Sequence, residues 1–208
     1  MFTRMTTMLT TLSTAAVVRD HVFAAAPGSF LRRKDFSGSD RAVESELSRL
    51  VLAGELLRVR RGIYYRGKAT RFGMTRPSLL DAAIAVAGPG SGPAGVSAAH
   101  LLGLTTQVPG TVEVATAGKV PEAMDGVRFR LRPFGRRELR LGPVEVAVLE
   151  VLRDPGAIEA TPRDARARLM ELIETGVVRA ALLADEIAEE HHVGARSRWR
   201  ALELAASP

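Results

Sequence analysis

Residues 39–65 constrain the fold more than any other part of the chain; their sequence is SDRAVESELSRLVLAGELLRVRRGIYY. Ser39 is suited to begin a helix as its N-cap, and Gly54 is suited to end one. Between them, apolar residues recur at the i, i+4, i+7, i+8 spacing of a single helical face: Val43, Leu47, Leu50 and Val51. We therefore predict an amphipathic helix over residues 39–53.

A short β-hairpin is predicted directly after this helix. Apolar and polar residues alternate on either side of Arg60-Arg61-Gly62, where the glycine can supply the turn. The apolar members are Leu57, Val59, Ile63 and Tyr65. A helix followed by such a hairpin is typical of a winged helix-turn-helix, in which the helix enters a DNA groove and the hairpin, or wing, contacts the backbone beside it. Residues 32–36 are predicted to be the first helix of the helix-turn-helix pair.

The outer face of the predicted helix and the wing carry residues suited to DNA. Arg41 and Ser45 lie in the half of the helix that usually meets base edges, and arginine can donate two hydrogen bonds to guanine. Several arginines on one small hairpin repel one another unless an anionic partner balances them. Solvated arginines on an ordinary amphipathic helix are the alternative explanation. The candidate DNA-binding residues are Ser39, Arg41, Ser45, Ser48, Arg49, Arg58, Arg60, Arg61, Arg66, Arg32, Arg33 and Lys34.

Composition agrees with a nucleic-acid partner. The 208 residues carry a net charge of +6 with a pI near 10.6, and the hydrophobic fraction of 46% is ordinary for a folded domain. Cysteine is absent, which excludes disulfides and thiolate metal sites. No apolar run approaches the ~20 residues needed to cross a bilayer. Charged residues interrupt the only stretch that resembles a secretion signal, before residue 23. We expect a cytoplasmic protein.

The chain as a whole is predicted to be α+β. Residues 1–66 are expected to form the winged helix-turn-helix, residues 67–77 a linker, and residues 78–208 a mixed α+β domain with a helical C-terminus. Helices are predicted at residues 11–25, 32–36, 39–53, 79–86, 96–102, 163–175, 177–192 and 199–204. Strands are predicted in the second domain at residues 111–116, 127–131 and 144–148.

Two segments resemble a known family. They are SRLVLAGELLRVRRGIYY at residues 48–65 and LGLTTQVP at residues 102–109. Over residues 17–132 the chain is similar to the AbiEi-like antitoxins and transcriptional regulators of type IV toxin–antitoxin systems. The resemblance implies an N-terminal winged helix-turn-helix, a C-terminal antitoxin domain and repression of the protein's own operon by binding double-stranded operator DNA. It also implies antagonism, direct or indirect, of a nucleotidyltransferase-like toxin.

A second basic stretch follows the predicted strand at residues 111–116. Arg128, Arg130 and Arg132 alternate along a strand and therefore share one face. They are a candidate second basic surface for nucleic acid, and an ordinary exposed sheet face is the alternative. Three further arginines lie just beyond them: Arg136, Arg137 and Arg140.

No constellation for catalysis was found. Glu113 and Lys119 are too far apart for the Glu-x-Lys trio of a metal-dependent nuclease. Adjacent side chains on a helix diverge by about 100°, so His191 and His192 cannot readily share a metal. We expect no enzymatic activity, cofactor or metal. A winged protein-interaction module without a specific DNA target, or less readily a nuclease-like protein, are the alternative functions.

Overall fold

The computed structural model describes residues 13–132 and 141–204. The chain divides into two compact units, Met1–Pro77 and Ser78–Pro208. Each unit has its own buried core, and together their helices and small sheets make an α+β protein with a helical C-terminus.

In its described residues, 13–77, the first unit combines two helices with a three-stranded antiparallel sheet of order β1-β3-β2. Its elements in chain order are α1 (Thr14–Ala24), β1 (Ser29–Arg32), a 3-10 turn (Arg33–Asp35), α2 (Asp40–Leu52), β2 (Leu57–Arg60), β3 (Ile63–Arg66), β4 (Ala69–Thr70) and β5 (Gly73–Met74). The core lies between the two helices and the sheet. It is formed by Val18, Val22, Leu31, Phe36, Val43, Leu47, Leu50, Leu56 and Tyr64.

Helix α2 confirms the helix predicted over residues 39–53. The Ser39 hydroxyl accepts the Ala42 N–H at 3.4 Å and begins the helix. Gly54 ends it with a φ of +76°, a left-handed conformation that favours glycine. The predicted stripe faces inward, with Val51 at its half-buried edge.

Strands β2 and β3 confirm the predicted wing. Arg60 pairs with Ile63 across a two-residue turn of Arg61 and Gly62, and Gly62 has a φ of +74°. The register shifts between Arg58 and Arg60, which leaves Val59 as a bulge.

Residues 32–36 are not the predicted helix, and that prediction was wrong. The segment begins as strand β1, in which Leu31 pairs with Tyr64, and continues as one 3-10 turn. The Asp35 carboxylate accepts the Arg32 N–H at 2.7 Å and closes that turn. A segment of five residues makes too few helical hydrogen bonds to offset nucleation, so pairing with β3 decides its structure.

The second unit places a three-stranded sheet of order β6-β7-β8 among six helices in the described part of the chain. Strand β7 is central, antiparallel to β6 and parallel to β8. The elements are α3 (Leu79–Ala87), β6 (Gly92–Pro93), α4 (Gly95–Leu101), β7 (Val112–Thr116), β8 (Val127–Leu131), α5 (Pro143–Arg153), α6 (Pro162–Glu174), α7 (Ala180–Ala188) and α8 (Val193–Leu204). The predicted strands at 111–116 and 127–131 and the helices near 79–86, 96–102 and 163–175 are confirmed.

Residues 144–148 form part of helix α5, so the strand predicted there was wrong. Every residue from 145 to 152 is buried, because α5 runs through the middle of the unit's core. Because α5 is buried on nearly all sides, no solvent-facing stripe marks its 3.6-residue period, and the alternate Val144, Val146 and Val148 imitate a strand. Near the C-terminus, the helix predicted over residues 177–192 is shorter, and the last helix begins earlier, at Val193.

Candidate nucleic-acid interface

The outer face of α2 presents the predicted polar residues to solvent. Arg41, Ser45, Ser48 and Arg49 are all exposed, and Leu52 beside them is exposed over 89% of its surface. The Arg41 guanidinium makes no ion pair or hydrogen bond with any residue that the structure describes. Its five donors are therefore available to base edges or phosphates. The Ser39 hydroxyl is committed to the helix cap, which leaves it less suited to DNA than predicted.

Arg49 is held in place by a buried carboxylate. Its guanidinium donates to Glu46 at 2.9 Å, and the Arg19 guanidinium of α1 lies 3.1 Å from the other oxygen of the same carboxylate. The Glu46 side chain is only 5% exposed, whereas those of Arg19 and Arg49 are 52% and 69% exposed. Glu46 therefore fixes one exposed arginine on each helix. Arg19 could not be predicted from the sequence, because its partner lies 27 positions away on another helix.

The wing lies beside the beginning of α2. The Gly62 carbonyl at the wing turn accepts the Arg33 N–H at 2.9 Å, and Arg33 precedes α2 in the 3-10 turn. Arg58 and Arg61 are exposed, without an ion pair or hydrogen bond from their side chains to a described residue. Arg60 is half-buried and does interact within the protein. The structure thus brings the wing turn and the N-terminal half of α2 to one side of the unit.

Arg33 and Arg66 hold the first unit together, so their placement does not support the predicted DNA-binding role. The Arg33 guanidinium donates to the Phe36 carbonyl at 3.1 Å and pairs with the Asp40 carboxylate. The Arg66 guanidinium donates to the Phe23 carbonyl at 2.8 Å and to the Ala25 carbonyl, at the C-terminal end of α1. These main-chain partners keep both guanidinium groups on the protein. The two remaining candidates differ in exposure: Lys34 is exposed, and Arg32 is half-buried with a partner.

Positive charge is concentrated in the first unit. Residues 1–77 contain 14 Lys and Arg against 6 Asp and Glu, whereas residues 78–208 contain 15 against 17. The first unit therefore carries more than the whole net positive charge of the chain, and the second is slightly acidic. Residues 56–80 contain seven Lys and Arg and no Asp or Glu.

The arginines of the predicted second basic surface have acidic partners within the second unit. The Glu113 carboxylate accepts from Arg128 at 3.1 Å and from Arg130 at 2.7 Å. Arg132 forms a bidentate pair with Glu150, whose side chain is 1% exposed. Burial alone would lower the pKa of the Arg132 guanidinium. The hydrogen bond and the charge of Glu150 raise this pKa above its usual value. The three arginines thus share two carboxylates, and Arg128 stays 64% exposed. Arg136, Arg137 and Arg140 lie outside the described residues.

The LGLTTQVP segment is fastened by one carboxylate. Glu159 accepts hydrogen bonds from the Thr105 hydroxyl at 2.6 Å, the Thr106 N–H at 3.0 Å and the Gln107 amide at 2.7 Å. The Thr105 hydroxyl first, then the other donors, lower the pKa of Glu159 to about 2. The motif therefore belongs to an ordered loop against residues that follow α5.

The histidine pair has a structural role in part. His192 Nδ1 accepts the Ala195 N–H at 3.1 Å near the beginning of α8. Within residues 13–132 and 141–204, no group of three or more His, Cys, Asp or Glu side chains could hold a metal ion. In the same residues, no helix is both long enough and apolar enough to cross a membrane.

Comparison with known proteins gives a family but no activity. No curated protein matches the chain. The crystal structure of the RV2827C protein from Mycobacterium tuberculosis resembles it with a TM-score of 0.40 and 17% identity, covering 89% of this chain and 78% of that one. The model of DUF6088, a family of unknown function, matches residues 18–129, which is more than half of the sequence. The chain belongs to the DUF6088 family.

Proposed function

We propose that this protein is a double-stranded DNA-binding transcriptional regulator of the cytoplasm. The observation that carries the proposal is a set of exposed arginines on α2 and the wing that have no partner among the described residues: Arg41, Arg58 and Arg61. They lie on the unit that holds the chain's excess positive charge. A winged scaffold that binds only protein does not require unbalanced arginines on both of these elements.

In this proposal helix α2 reads the base sequence and the wing binds the DNA backbone. The N-terminal half of α2 enters the major groove, where Arg41 meets a guanine edge and Ser45 lies one turn further along. The wing arginines neutralise phosphates of the adjacent backbone, which contributes affinity and not sequence preference. Arg49, fixed by Glu46, contacts the backbone or a base at the far end of the helix.

The resemblance to AbiEi-like antitoxins extends the proposal to a repressor of its own toxin–antitoxin operon. Its partner is then a nucleotidyltransferase-like toxin encoded beside it, antagonised directly or indirectly. The second unit, with its fastened LGLTTQVP loop, carries that antagonism. Co-expression with the neighbouring gene product tests this part separately: rescue of growth supports it, and growth arrest despite the co-expressed protein contradicts it.

A salt-titrated binding assay tests DNA recognition. The full chain is titrated with the DNA immediately upstream of its own gene and with scrambled DNA of equal length. We expect tighter binding to the upstream DNA and a steep loss of affinity with salt. Arg41→Ala is expected to cost about 1–3 kcal/mol on the upstream DNA and little on the scrambled DNA. Weak, equal binding to both DNAs contradicts a regulator and favours the protein-interaction module.

A further inference from the structure

The segment between the wing and the second unit forms an ordered β-hairpin, although the sequence predicted a linker at residues 67–77. Ala69 pairs with Met74 and Thr70 with Gly73, so that Arg71 and Phe72 occupy the tip. The Thr70 hydroxyl donates to the Gly73 carbonyl at 2.6 Å and accepts the Phe72 N–H at 3.2 Å. These bonds fix the backbone of the tip on both sides of the turn.

The base of this hairpin is fastened as well. The Thr75 N–H donates to the Lys68 carbonyl at 2.9 Å, and the Lys68 N–H donates to the Thr75 hydroxyl at 2.8 Å. Gly67 lies so close to the other strand that a Cβ atom there would stand 2.2 Å from the Thr75 carbonyl oxygen. Only glycine permits this approach, so the hairpin is specified by its own sequence.

The tip presents an aromatic ring and a cation together. Phe72 is exposed over 85% of its surface, and the Arg71 guanidinium stacks over its ring at 4.6 Å from the centroid. Lys68 and Arg76 flank the tip and are exposed. These residues belong to the acid-free stretch of residues 56–80, so no carboxylate within that stretch balances them. A fixed, cationic tip with an apolar ring matches a polyanion that also offers flat apolar faces.

We propose that this hairpin is a second DNA-contacting element, which places Arg71 and Phe72 in a minor groove. The inference rests on the proposed function and extends it. Strand β3 separates the wing turn from the hairpin by four residues, or about 13 Å. The hairpin therefore meets DNA at a different position from the wing. Arg71 occupies the negative potential of the groove, and Phe72 packs against sugars or wedges at a base step.

The test uses the full-length protein with the upstream duplex and a scrambled duplex, by salt-titrated binding and hydroxyl-radical footprinting. Phe72→Ala is expected to weaken binding on the order of tenfold on both duplexes, and Phe72→Tyr to retain wild-type affinity. Arg71→Ala is expected to lower the salt slope by about 1. Both alanine variants should lose protection at one edge of the footprint. Arg163→Ala, an exposed arginine of α6 with no partner among the described residues, is the matched control for charge.

The outcomes separate this inference from the proposed function. Equal wild-type binding to both duplexes contradicts specific regulation, yet the hairpin still stands if its variants weaken both. If Arg71→Ala and Phe72→Ala give the same footprints and affinities as the wild type, the hairpin does not contact DNA. The exposed tip is then assigned to a protein partner. Absence of any wild-type binding overturns both proposals. Thermal unfolding of each variant checks that the exposed substitutions leave the fold intact.

Discussion

At the scale of single residues, Glu46 determines where two exposed arginines stand. It is buried, and its two oxygens contact Arg19 and Arg49 at 3.1 and 2.9 Å. Glu46→Gln removes the charge while preserving the side chain's shape. Both arginines then gain rotamer freedom, worth about 0.5–1.5 kcal/mol for each side chain that must be ordered again on binding. We expect the preference for upstream over scrambled DNA to fall by about two- to tenfold.

The change in affinity for scrambled DNA shows whether Glu46 acts by positioning the two arginines or only through its charge. Because the substitution removes a negative charge, affinity for scrambled DNA should not fall. Glu44→Gln is the matched control: it removes the same charge from the same helix, at an exposed residue without a partner among the described ones. Equal effects of the two substitutions on DNA preference would contradict a positioning role for Glu46. Competition binding with the two duplexes measures the preference.

Arg66 acts on stability and not on DNA, according to its contacts. Its guanidinium donates to two carbonyls at the end of α1, which lie 43 and 41 positions earlier in the chain. Arg66→Ala leaves these carbonyls with fewer donors, and we expect the first unit to lose about 1–3 kcal/mol in its free energy of unfolding. Arg58 is exposed and has no partner among the described residues, so Arg58→Ala should change it by less than about 0.5 kcal/mol. Denaturant unfolding, monitored by hydrogen exchange of the α1 amides, measures the change in free energy for both variants. Similar losses for Arg66→Ala and Arg58→Ala would contradict a stabilising role for Arg66.

At the scale of elements, the sequence predicted those whose pattern is local. Helix α2 and the wing follow from an apolar stripe with a cap at each end and from a glycine turn, all within residues 39–65. The strand β1 could not be predicted, since its partner β3 decides it. The strand prediction at residues 144–148 failed because burial on all sides removes the helical pattern. The same holds for single residues. The exposure of Arg41 could be predicted from the local pattern, but the hydrogen bonds of Arg66 to distant carbonyls could not.

The LGLTTQVP loop depends on the ionised form of Glu159. The hydrogen bonds to its oxygens lower its pKa from 4.5 to about 2. A carboxylate whose pKa is lower in the folded state stabilises the fold fully above its unfolded value, and the contribution is lost as the pH falls through the folded value. We expect Glu159→Gln to lower the midpoint of thermal unfolding above about pH 5. The difference from the wild type should shrink as the pH is lowered from 4.5 toward 2.

A matched substitution distinguishes the loss of the Glu159 hydrogen bonds from the general effect of acid on the stability of the fold. Glu174→Gln removes a charge at an exposed position near the end of α6, without a partner among the described residues. Its midpoint should follow the wild type at every pH. A constant difference between Glu159→Gln and the wild type from pH 6 to pH 3 would contradict a role for the ionised carboxylate. Differential scanning calorimetry across that range gives both comparisons.

At the scale of the whole molecule, the two units differ in charge and in how that charge is used. Several arginines of the second unit pair with buried carboxylates, as Arg132 does with Glu150 and Arg179 with Glu145. Burial alone would raise the pKa of Glu145, but hydrogen bonds from Arg179 and from the Gly142 N–H lower it. In the first unit, Arg41 of α2 and Arg58 and Arg61 of the wing have no such partner among the described residues. These three arginines are therefore available for an anion, whereas Arg132 and Arg179 stabilise the second unit.

This division predicts which arginines set the salt dependence of DNA binding. Each phosphate contact contributes about 0.9 to the slope of log K against log salt, because a counterion is released. Replacing Arg58 and Arg61 together by alanine should therefore lower the slope by about 2. Replacing Arg163 and Arg166 of α6, also exposed and without partners among the described residues, removes the same charge and should leave the slope unchanged. An equal decrease for both pairs would mean that overall charge, and not the wing, governs binding to DNA.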